Sequence, residues 1–175
     1  MRKNIITLAG PPCSGKSTAG KILSVSLQAN FIDIDCLIEA ETKCTIEWIF
    51  SHQGEHAFRK VEKRILHGVI TGNTHRTVIA LGGGALLDSD SRKMVEKETV
   101  LFTLSALPET LAKRNSGHRP LAPDPARLRT LLKNREHHYL SLGNPVSTEN
   151  RTAQQVSEII RKEVLPLLSH EDRPL

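Results

Sequence analysis

The chain has 175 residues, of which 38% are hydrophobic and 25% are charged, so it has room for one globular domain with a sizeable core. No apolar run approaches the roughly 20 residues that a membrane-spanning helix needs, and the first predicted strand begins too early to leave room for a signal peptide. The net charge of +5 suits a site for anionic ligands, whereas the lack of an arginine-rich tract and of stacking aromatics argues against nucleic acid. We therefore expect a cytoplasmic protein without nucleic-acid or membrane partners.

The apolar periodicity divides the chain into alternating strands and helices. In chain order it predicts a strand at residues 5–9, a helix at 16–29, a strand at 31–35, helices at 37–41, 46–52 and 55–70 with a break at Gly54, a strand at 77–81, a helix at 88–97, a strand at 99–104, helices at 108–114 and 126–140, a weak strand at 145–148 and a helix at 153–168. The polar residues 169–175 are predicted to be disordered. This alternation predicts one α/β domain over residues 1–175, with a five-stranded parallel sheet between two layers of helices.

The loop after the first strand carries the strongest motif of the chain. The eight residues from Gly10 to Ser17 fit G-x-x-x-x-G-K-[ST] without a mismatch. Glycines allow such a loop to turn its N–H groups inward around a phosphate at the start of a helix. Lys16 can then reach the β- and γ-phosphates of a nucleotide, and the Ser17 hydroxyl can bind Mg²⁺. The residues expected to bind the nucleotide here are Pro12, Cys13, Ser14, Gly15, Lys16, Ser17 and Thr18; the alternative, a plain glycine-rich turn, leaves the Gly-Lys-Ser order unexplained.

Two carboxylates lie at the predicted end of the second strand. Asp33 and Asp35 flank one residue, so both side chains project to the same side if the strand stays extended. One could hold Mg²⁺ through water beside Ser17, while the other could orient an acceptor hydroxyl as a base. The alternative is that one of them caps a helix that begins near Cys36.

Two further segments suggest contacts with a ligand. Arg59 and Glu62 stand three residues apart on a predicted helix, so the glutamate could hold the guanidinium ready to bind a carboxylate; an exposed ion pair is the alternative. Three glycines, Gly82, Gly83 and Gly84, follow a buried strand, which suggests that a ligand approaches the backbone closely.

Three arginines lie in the later part of the chain: Arg114, Arg119 and Arg135. A mobile basic loop that closes over a triphosphate would exclude water and place positive charge on the transferring oxygens. The alternative for each arginine is a solvated basic surface. Because ligands of parallel sheets bind beyond the carboxyl ends of the strands, the phosphate loop, the acidic pair and the glycine triplet are expected to meet there.

Taken together, these segments resemble the shikimate kinase family of P-loop small-molecule kinases. The resemblance rests on the phosphate loop, on D-x-D at 33–35, G-E-x-x-F-R-x-x-E at 54–62, G-G-G at 82–84, R-P-L at 119–121, and Arg135 followed by Tyr139. It implies a P-loop NTPase fold of the nucleoside monophosphate kinase type. It also implies a monomer that uses Mg²⁺ and transfers the γ-phosphate of ATP to the 3-hydroxyl of shikimate, in chorismate biosynthesis.

The same resemblance implies a role for each site residue. Asp35 would bind the acceptor hydroxyl and act as its base, and Asp33 would support Mg²⁺ with Ser17. Arg59 and Arg135 would hold the shikimate carboxylate, helped by the backbone around Gly82, Gly83 and Gly84. The substrate-binding region would lie at about 33–62. Lys16 and Arg119 would stabilise the migrating phosphoryl group, and Arg114 would lie near the adenine. Both arginines would belong to a lid at about 111–124.

Two other functions fit parts of the sequence. A gluconate or nucleoside monophosphate kinase would share the phosphate loop and the lid, but does not readily explain Arg59 and Glu62 together with the glycine triplet. A non-catalytic nucleotide-binding protein would keep the loop alone, and the presence of Asp35 and both arginines argues against it.

Overall fold

The computed structural model describes residues 4–115 and 120–168. Its sheet has five strands, which are β1 (Ile5–Ala9), β2 (Asn30–Asp33), β3 (Thr77–Ala80), β4 (Val100–Ser105) and β5 (Pro145–Ser147). All neighbouring pairs are parallel, and the strands lie in the order β2-β3-β1-β4-β5. The loops that follow β1, β2 and β3 therefore leave the same edge of the sheet side by side.

Eight helices are present among these residues. They are α1 (Lys16–Ser26), α2 (Ile34–Thr42), α3 (Ile46–Gly72), α4 (Ser89–Glu98), α5 (Pro108–Lys113), α6 (Pro125–Asn134), α7 (Glu136–Leu140) and α8 (Ala153–Val164). Short 3₁₀ turns follow the glycine triplet at Ala85–Leu87 and extend α8 at Leu165–Leu167. The predicted five-stranded α/β architecture is confirmed.

The sheet is buried on both faces because its strands carry apolar side chains on both sides. In β1, Ile6 and Leu8 belong to a cluster with side chains of α1 and α8, whereas Ile5 and Ala9 belong to a cluster with side chains of α3 and α4. This alternation follows the period of two along a strand. Burial of these aliphatic side chains provides most of the stabilisation, at about 25 cal/mol per Å² of apolar surface.

A smaller apolar cluster lies away from the sheet. Leu111 and Ala112 of α5 pack against Leu128 and Leu132 of α6, together with Ala122 from the loop between them. This contact packs both ends of the predicted lid, at about 111–124, against α6. Residues 116–119 of that lid, and the tail 169–175 predicted to be disordered, lie outside the described residues.

Several element boundaries differ from the sequence-based prediction, and three of the differences have a clear physical reason. The second strand ends at Asp33, and α2 begins at Ile34, because the Asp33 side chain caps the helix. The single helix predicted at 126–140 is two helices, α6 and α7, interrupted by non-helical backbone angles at Arg135. The last helix ends at Val164 and gives way to a 3₁₀ turn that contains Pro166, which cannot continue the α-helical hydrogen bonding.

The predicted break at Gly54 is confirmed within α3. Gly54 has φ 81° and ψ 169°, so the helix consists of two segments that meet at this residue. Its positive φ is readily adopted only by glycine. Within residues 4–115 and 120–168, no helix is long and apolar enough to span a membrane.

Candidate active site at the carboxyl edge of the sheet

The phosphate loop connects β1 to α1, as the motif predicted. Gly10 has φ 125°, and a Cβ on it would lie 2.1 Å from the Leu104 carbonyl oxygen, so only glycine fits between the loop and β4. Gly15 has φ 90° and precedes the first residue of α1, which directs the unpaired N–H groups of the helix towards the loop. Cys13, at φ 63°, also adopts the left-handed region, as the inward turn of such a loop requires.

Lys16 and Ser17 follow the loop at the start of α1. The Lys16 Nζ is buried and donates hydrogen bonds to the carbonyl oxygens of Gly10, at 2.9 Å, and Pro11, at 2.8 Å. The Ser17 hydroxyl donates to the Asp33 carboxylate, with 2.5 Å between the oxygens. The lysine therefore lies along the loop that would surround a triphosphate, and the serine is bonded to the carboxylate at the end of β2.

Asp33 and Asp35 do not project from one extended strand, so that part of the prediction is wrong. Asp33 Oδ1 accepts from the N–H groups of Asp35 and Cys36, which makes Asp33 the N-cap of α2, the alternative that the sequence left open. Its other oxygen faces Ser17, so one carboxylate serves both contacts. Asp35 lies in the first helical turn instead and points into a neighbouring cleft.

That cleft has a volume of about 490 Å³ and lies beside the phosphate loop. The predicted acceptor-binding residues line it together: Asp35, Arg59, Gly82, Gly83, Gly84 and Arg135. Pro12 of the phosphate loop and Glu62 of α3 line it as well. The structure thus brings one end of the phosphate loop, the catalytic carboxylate candidate and two guanidinium groups to one place.

The ion pair between Arg59 and Glu62 is buried in the wall of this cleft. The Arg59 guanidinium lies 2.5 Å from Glu62 Oε2, and it also contacts Glu55 Oε1 at 3.1 Å. The Glu62 side chain is only 3% exposed. Burial raises the pKa of Glu62, and the nearby Arg59 only partly offsets that effect. The prediction that Glu62 holds Arg59 in one orientation agrees with this geometry, and an exposed ion pair does not.

The glycine triplet is required because side chains of the cleft press against it. A Cβ on Gly84 would lie 2.7 Å from one nitrogen of Arg59 and 2.9 Å from one nitrogen of Arg135. A Cβ on Gly82 would lie 2.5 Å from Glu62 Oε1 and 2.9 Å from Asp35 Oδ1. Both guanidinium groups therefore meet at Gly84, and both carboxyl groups meet at Gly82.

The third glycine joins the cleft to the phosphate loop. A Cβ on Gly83 would lie 2.8 Å from the Pro12 ring, and the Gly83 carbonyl accepts a 2.7 Å hydrogen bond from the Tyr139 hydroxyl. Tyr139 lies on α7, one helical turn after Arg135. The break between α6 and α7 thus orients two side chains towards the same triplet.

A second, smaller pocket of about 230 Å³ lies on the other side of the phosphate loop. Ser14 and Thr18 line it together with Arg114, Thr148 and Arg151. The Arg114 guanidinium donates to the Thr148 hydroxyl at 3.0 Å and to the Thr148 carbonyl at 3.1 Å. The predicted adenine-side arginine therefore lies beside the loop, although it does not share the acceptor cleft.

One predicted site residue has no structural description, and two residues were missed. Arg119 lies outside the described residues, so its role stays a prediction. Thr148 and Glu149, which hold helix α5 and Arg114, were not identified as site residues. Their partners lie 34 to 42 residues away in the chain, so no local pattern in the sequence indicates these contacts.

The fold and the site define a P-loop phosphotransferase that acts on a small molecule. A model of the family described as shikimate kinase matches residues 12–164. The chain belongs to the shikimate kinase family, and it is an ATP-dependent kinase with an alcohol acceptor. The family resemblance predicted from the sequence is confirmed.

Individual relatives agree with the family match. A shikimate kinase of Thermus thermophilus is 38% identical over 164 residues, which cover 90% of this chain and 88% of that protein. A shikimate kinase of Symbiobacterium thermophilum is 36% identical over 166 residues, which cover 90% and 94%. The solved structure of shikimate kinase from Acinetobacter baumannii in complex with shikimate has a TM-score of 0.85, with 31% identity and 93% coverage of each chain. These findings favour this family over the two other functions that the sequence left open.

Proposed function

We propose that this chain transfers the γ-phosphate of ATP to the 3-hydroxyl of shikimate, which gives shikimate 3-phosphate and ADP for chorismate biosynthesis. One observation supports the proposal most strongly: Asp35, Arg59 and Arg135 converge on a single cleft that borders the phosphate loop. A hydroxylated acid needs both a cation pair for its carboxylate and a base for its hydroxyl, and this cleft offers both.

Arg59 and Arg135 would bind the carboxylate of the acceptor. One nitrogen of each guanidinium lies within 2.9 Å of a common point above Gly84, so both can donate to one small anion. Glu55 and Glu62 hold Arg59 in place, and Glu55 also lies 3.9 Å from Arg135. The two arginines are therefore oriented before the acceptor arrives, which lowers the entropic cost of binding it.

Asp35 would accept the proton of the attacking hydroxyl. As the acceptor oxygen bonds to the γ-phosphorus, the bond between that phosphorus and the β,γ-bridging oxygen breaks and ADP leaves, while the proton passes to the Asp35 carboxylate. Asp35 Oδ1 lies beside Gly82, on the same glycine triplet that carries the two arginines. Its position at the start of α2 fixes it between the acceptor cleft and the Asp33–Ser17 contact.

The phosphate loop would bind the triphosphate. Lys16 would exchange its contacts with the Gly10 and Pro11 carbonyls for contacts with the β- and γ-phosphates, where its charge stabilises the transition state. Arg114 would bind near the nucleoside, and Arg119 would add charge on the γ-phosphate. The second of these roles rests on the family resemblance alone.

The residues around Ser17 fit a magnesium ion. Ser17 Oγ and Asp33 Oδ2 are hard oxygen donors next to each other, and the described residues contain no cluster of three or more acidic, histidine or cysteine side chains that would hold a metal without a substrate. Mg²⁺ in kinases is held in this way, by one or two protein oxygens together with phosphates and water. Ser17 and Asp33 would hold it, and when bound it neutralises charge on the β- and γ-phosphates.

The proposal is tested by offering the enzyme ATP, Mg²⁺ and, separately, shikimate, quinate, gluconate and nucleoside monophosphates. We expect preferential phosphorylation of shikimate, with the 3-phosphate identified by ³¹P NMR. Preference for gluconate or a nucleotide would reject the acceptor. Isothermal titration calorimetry with shikimate would distinguish a shikimate kinase, which should show a heat of binding, from a protein that binds only nucleotide.

A monomeric, cytoplasmic enzyme is also part of the proposal, and it rests on the family resemblance. Sedimentation velocity across a range of protein concentrations would test the oligomeric state, and fractionation of cells would test the location. A concentration-dependent dimer or a membrane-bound fraction would contradict these two points without affecting the reaction.

A further inference from the structure

Helix α5 cannot be stable on its own. It has six residues, and its N-cap position is taken by Leu107, which provides no capping side chain. Isolated helices of this length do not persist in water. One face is held by Leu111 and Ala112, which pack against α6. This apolar contact fixes one side of the helix, so the ends must be fixed by other groups.

Glu149 provides the missing cap from the loop after β5. Its Oε2 accepts from the backbone N–H of Leu107 at 3.1 Å, and its Oε1 accepts from the Thr110 hydroxyl at 2.7 Å. An anion at the start of a helix also complements the positive end of the helix dipole. Both bonds stabilise the ionised carboxylate, and they therefore lower the pKa of Glu149.

Thr148, the preceding residue, holds the other end of the same helix. Arg114 follows the last residue of α5, and its guanidinium bonds to both the hydroxyl and the carbonyl of Thr148. Thr148 is buried, and its N–H donates to the Ser105 carbonyl at the end of β4, at 2.7 Å. Two adjacent residues therefore attach both ends of α5 to the sheet.

The orientation of α5 matters because Arg114 lines the smaller pocket beside Ser14 and Thr18 of the phosphate loop. A helix of six residues is about 9 Å long, so a small tilt at its start moves the guanidinium at its end. The interaction between Glu149 and Leu107 lies at that start, and neither residue lines the acceptor cleft. Its loss would disturb the nucleotide side of the site and leave the acceptor side intact.

We propose that Glu149 is a positioning residue for nucleotide binding, which caps α5 and thereby sets where Arg114 presents its guanidinium to the nucleotide. The inference rests on the proposed function, because it requires Arg114 to contact the nucleotide. Glu149 itself does not touch the reacting groups.

A double-mutant cycle separates this role from a general effect on folding. Glu149→Ala should raise KM for ATP about three- to tenfold, as expected for a lost cap, with kcat and KM for shikimate within about twofold. Arg114→Ala should also raise KM for ATP. In the Arg114→Ala background, Glu149→Ala should add less than about twofold, because its effect passes through the residue already removed.

Conservative variants give a graded series and a safeguard against misfolding. Glu149→Gln keeps one acceptor oxygen, so its affinity for ATP should lie between that of Glu149→Ala and that of the parent protein. Thr110→Val removes one hydrogen-bond partner of Glu149 and should also raise KM for ATP. Thr110→Ser keeps the hydroxyl and should have the KM of the parent protein. Glu158→Ala, at a half-exposed glutamate paired with Arg161 on α8, is the matched control and should leave both KM values unchanged. If Glu149→Ala does not fold, Glu149→Gln and Thr110→Val decide the question.

Failure of the inference and failure of the proposed function look different. If Arg114→Ala raises KM for ATP but Glu149→Ala does not, the positioning role is wrong and the kinase assignment stands. Independent, multiplicative effects in the double variant would also overturn the positioning role. If Arg114→Ala leaves KM for ATP unchanged, the nucleotide contact assigned to Arg114 is wrong, and the inference fails with it.

Discussion

The two sides of the site are built in different ways. On the β2–β3 side, the charged side chains of the acceptor cleft pack against the glycine triplet. The side chains of Glu62, Arg59 and Arg135 are 3%, 24% and 13% exposed. On the β4–β5 side, Arg114 is exposed and is positioned by hydrogen bonds to the loop after β5. Geometry is therefore set by packing on one side and by surface hydrogen bonds on the other.

This difference determines how each side should respond to change. Removing one member of a buried pair leaves an uncompensated charge and costs about 3–5 kcal/mol, whereas an exposed pair contributes about 0–1 kcal/mol. A substitution on the acceptor side should therefore act sharply, and one on the nucleotide side should act gradually. The four experiments below test the acceptor side and the magnesium site, beginning with the largest expected effect, and the Glu149 and Arg114 variants described above test the nucleotide side.

Asp35→Asn should lower kcat about 10²- to 10⁴-fold, because the amide cannot accept the hydroxyl proton. KM for ATP should stay within a few fold, since Asp35 belongs to the acceptor side. Steady-state kinetics with both substrates would measure this. Glu41→Gln is the control, because Glu41 lies on the same helix as Asp35 and forms an exposed ion pair with Arg64 of α3. This substitution should leave kcat and both KM values unchanged. Near-normal turnover of Asp35→Asn would disprove its role as the base.

Gly84→Ala should raise KM for shikimate at least about tenfold, because the added methyl group meets the ends of both guanidinium groups. Those ends belong to flexible side chains, so the protein should still fold with little change in its melting temperature. Gly143→Ala, where a Cβ would contact nothing within 4 Å, is the control. Unchanged saturation by shikimate would show that Arg59 and Arg135 do not bind it.

Substitutions of Asp33 should separate its two contacts. Asp33→Asn retains a good N-cap for α2 but loses the charge facing Ser17, so the Mg²⁺ requirement should rise several fold with little change in stability. Asp33→Ala should in addition lose about 0.5–2 kcal/mol of unfolding free energy. Magnesium titrations of activity and urea unfolding would measure the two effects. An unchanged Mg²⁺ dependence in both variants would remove Asp33 from the metal site.

The smallest effect concerns the cost of burying Glu62. Burial raises the pKa of the Glu62 carboxyl group, so the folded protein binds the carboxyl proton more tightly than the unfolded chain does. The unfolding free energy contributed by Glu62 must then fall as pH rises from its ordinary pKa of 4.5 towards the folded-state pKa. The free energy of unfolding, measured with urea at several pH values from 4.5 to 8, should fall less steeply with pH for Glu62→Gln than for the parent protein. Identical slopes would mean that Arg59 fully offsets the burial.

Much of the fold follows from local patterns in the sequence. The apolar runs that form β1, β3 and β4 are buried on both faces, which leaves a continuous hydrophobic signal. The phosphate loop and the break at Gly54 were predictable because both need backbone angles that favour glycine. Local chemistry dictates these features without help from distant residues.

One error came from a local contact, and the other from contacts with distant residues. Asp33 and Asp35 fit an extended strand by spacing, but Asp33 caps α2 and turns the chain one residue after it. No residue pattern within 126–140 indicates that the helix is interrupted at Arg135. The interruption orients Arg135 and Tyr139 towards the glycine triplet, which lies more than 50 residues earlier in the chain.

The glycine triplet shows a correct residue choice with an incomplete reason. The sequence suggested that a ligand approaches Gly82, Gly83 and Gly84. The structure shows that the protein's own side chains approach them, with Pro12 against Gly83 and the charged groups against the other two. Which side chains do so depends on the packing of α2, α3 and α7 around β3, and that information is distributed over the whole chain.

The way Lys16 is held has a practical consequence for chemical labelling. Its ammonium group is covered by the carbonyls of its own loop, with 8% of the residue exposed, whereas the Lys97 side chain is 80% exposed. An amine-reactive reagent added in small portions would consume lysines such as Lys97 first. The residue most needed for phosphate contact would be modified late, so inactivation should lag behind the number of labels counted by mass spectrometry.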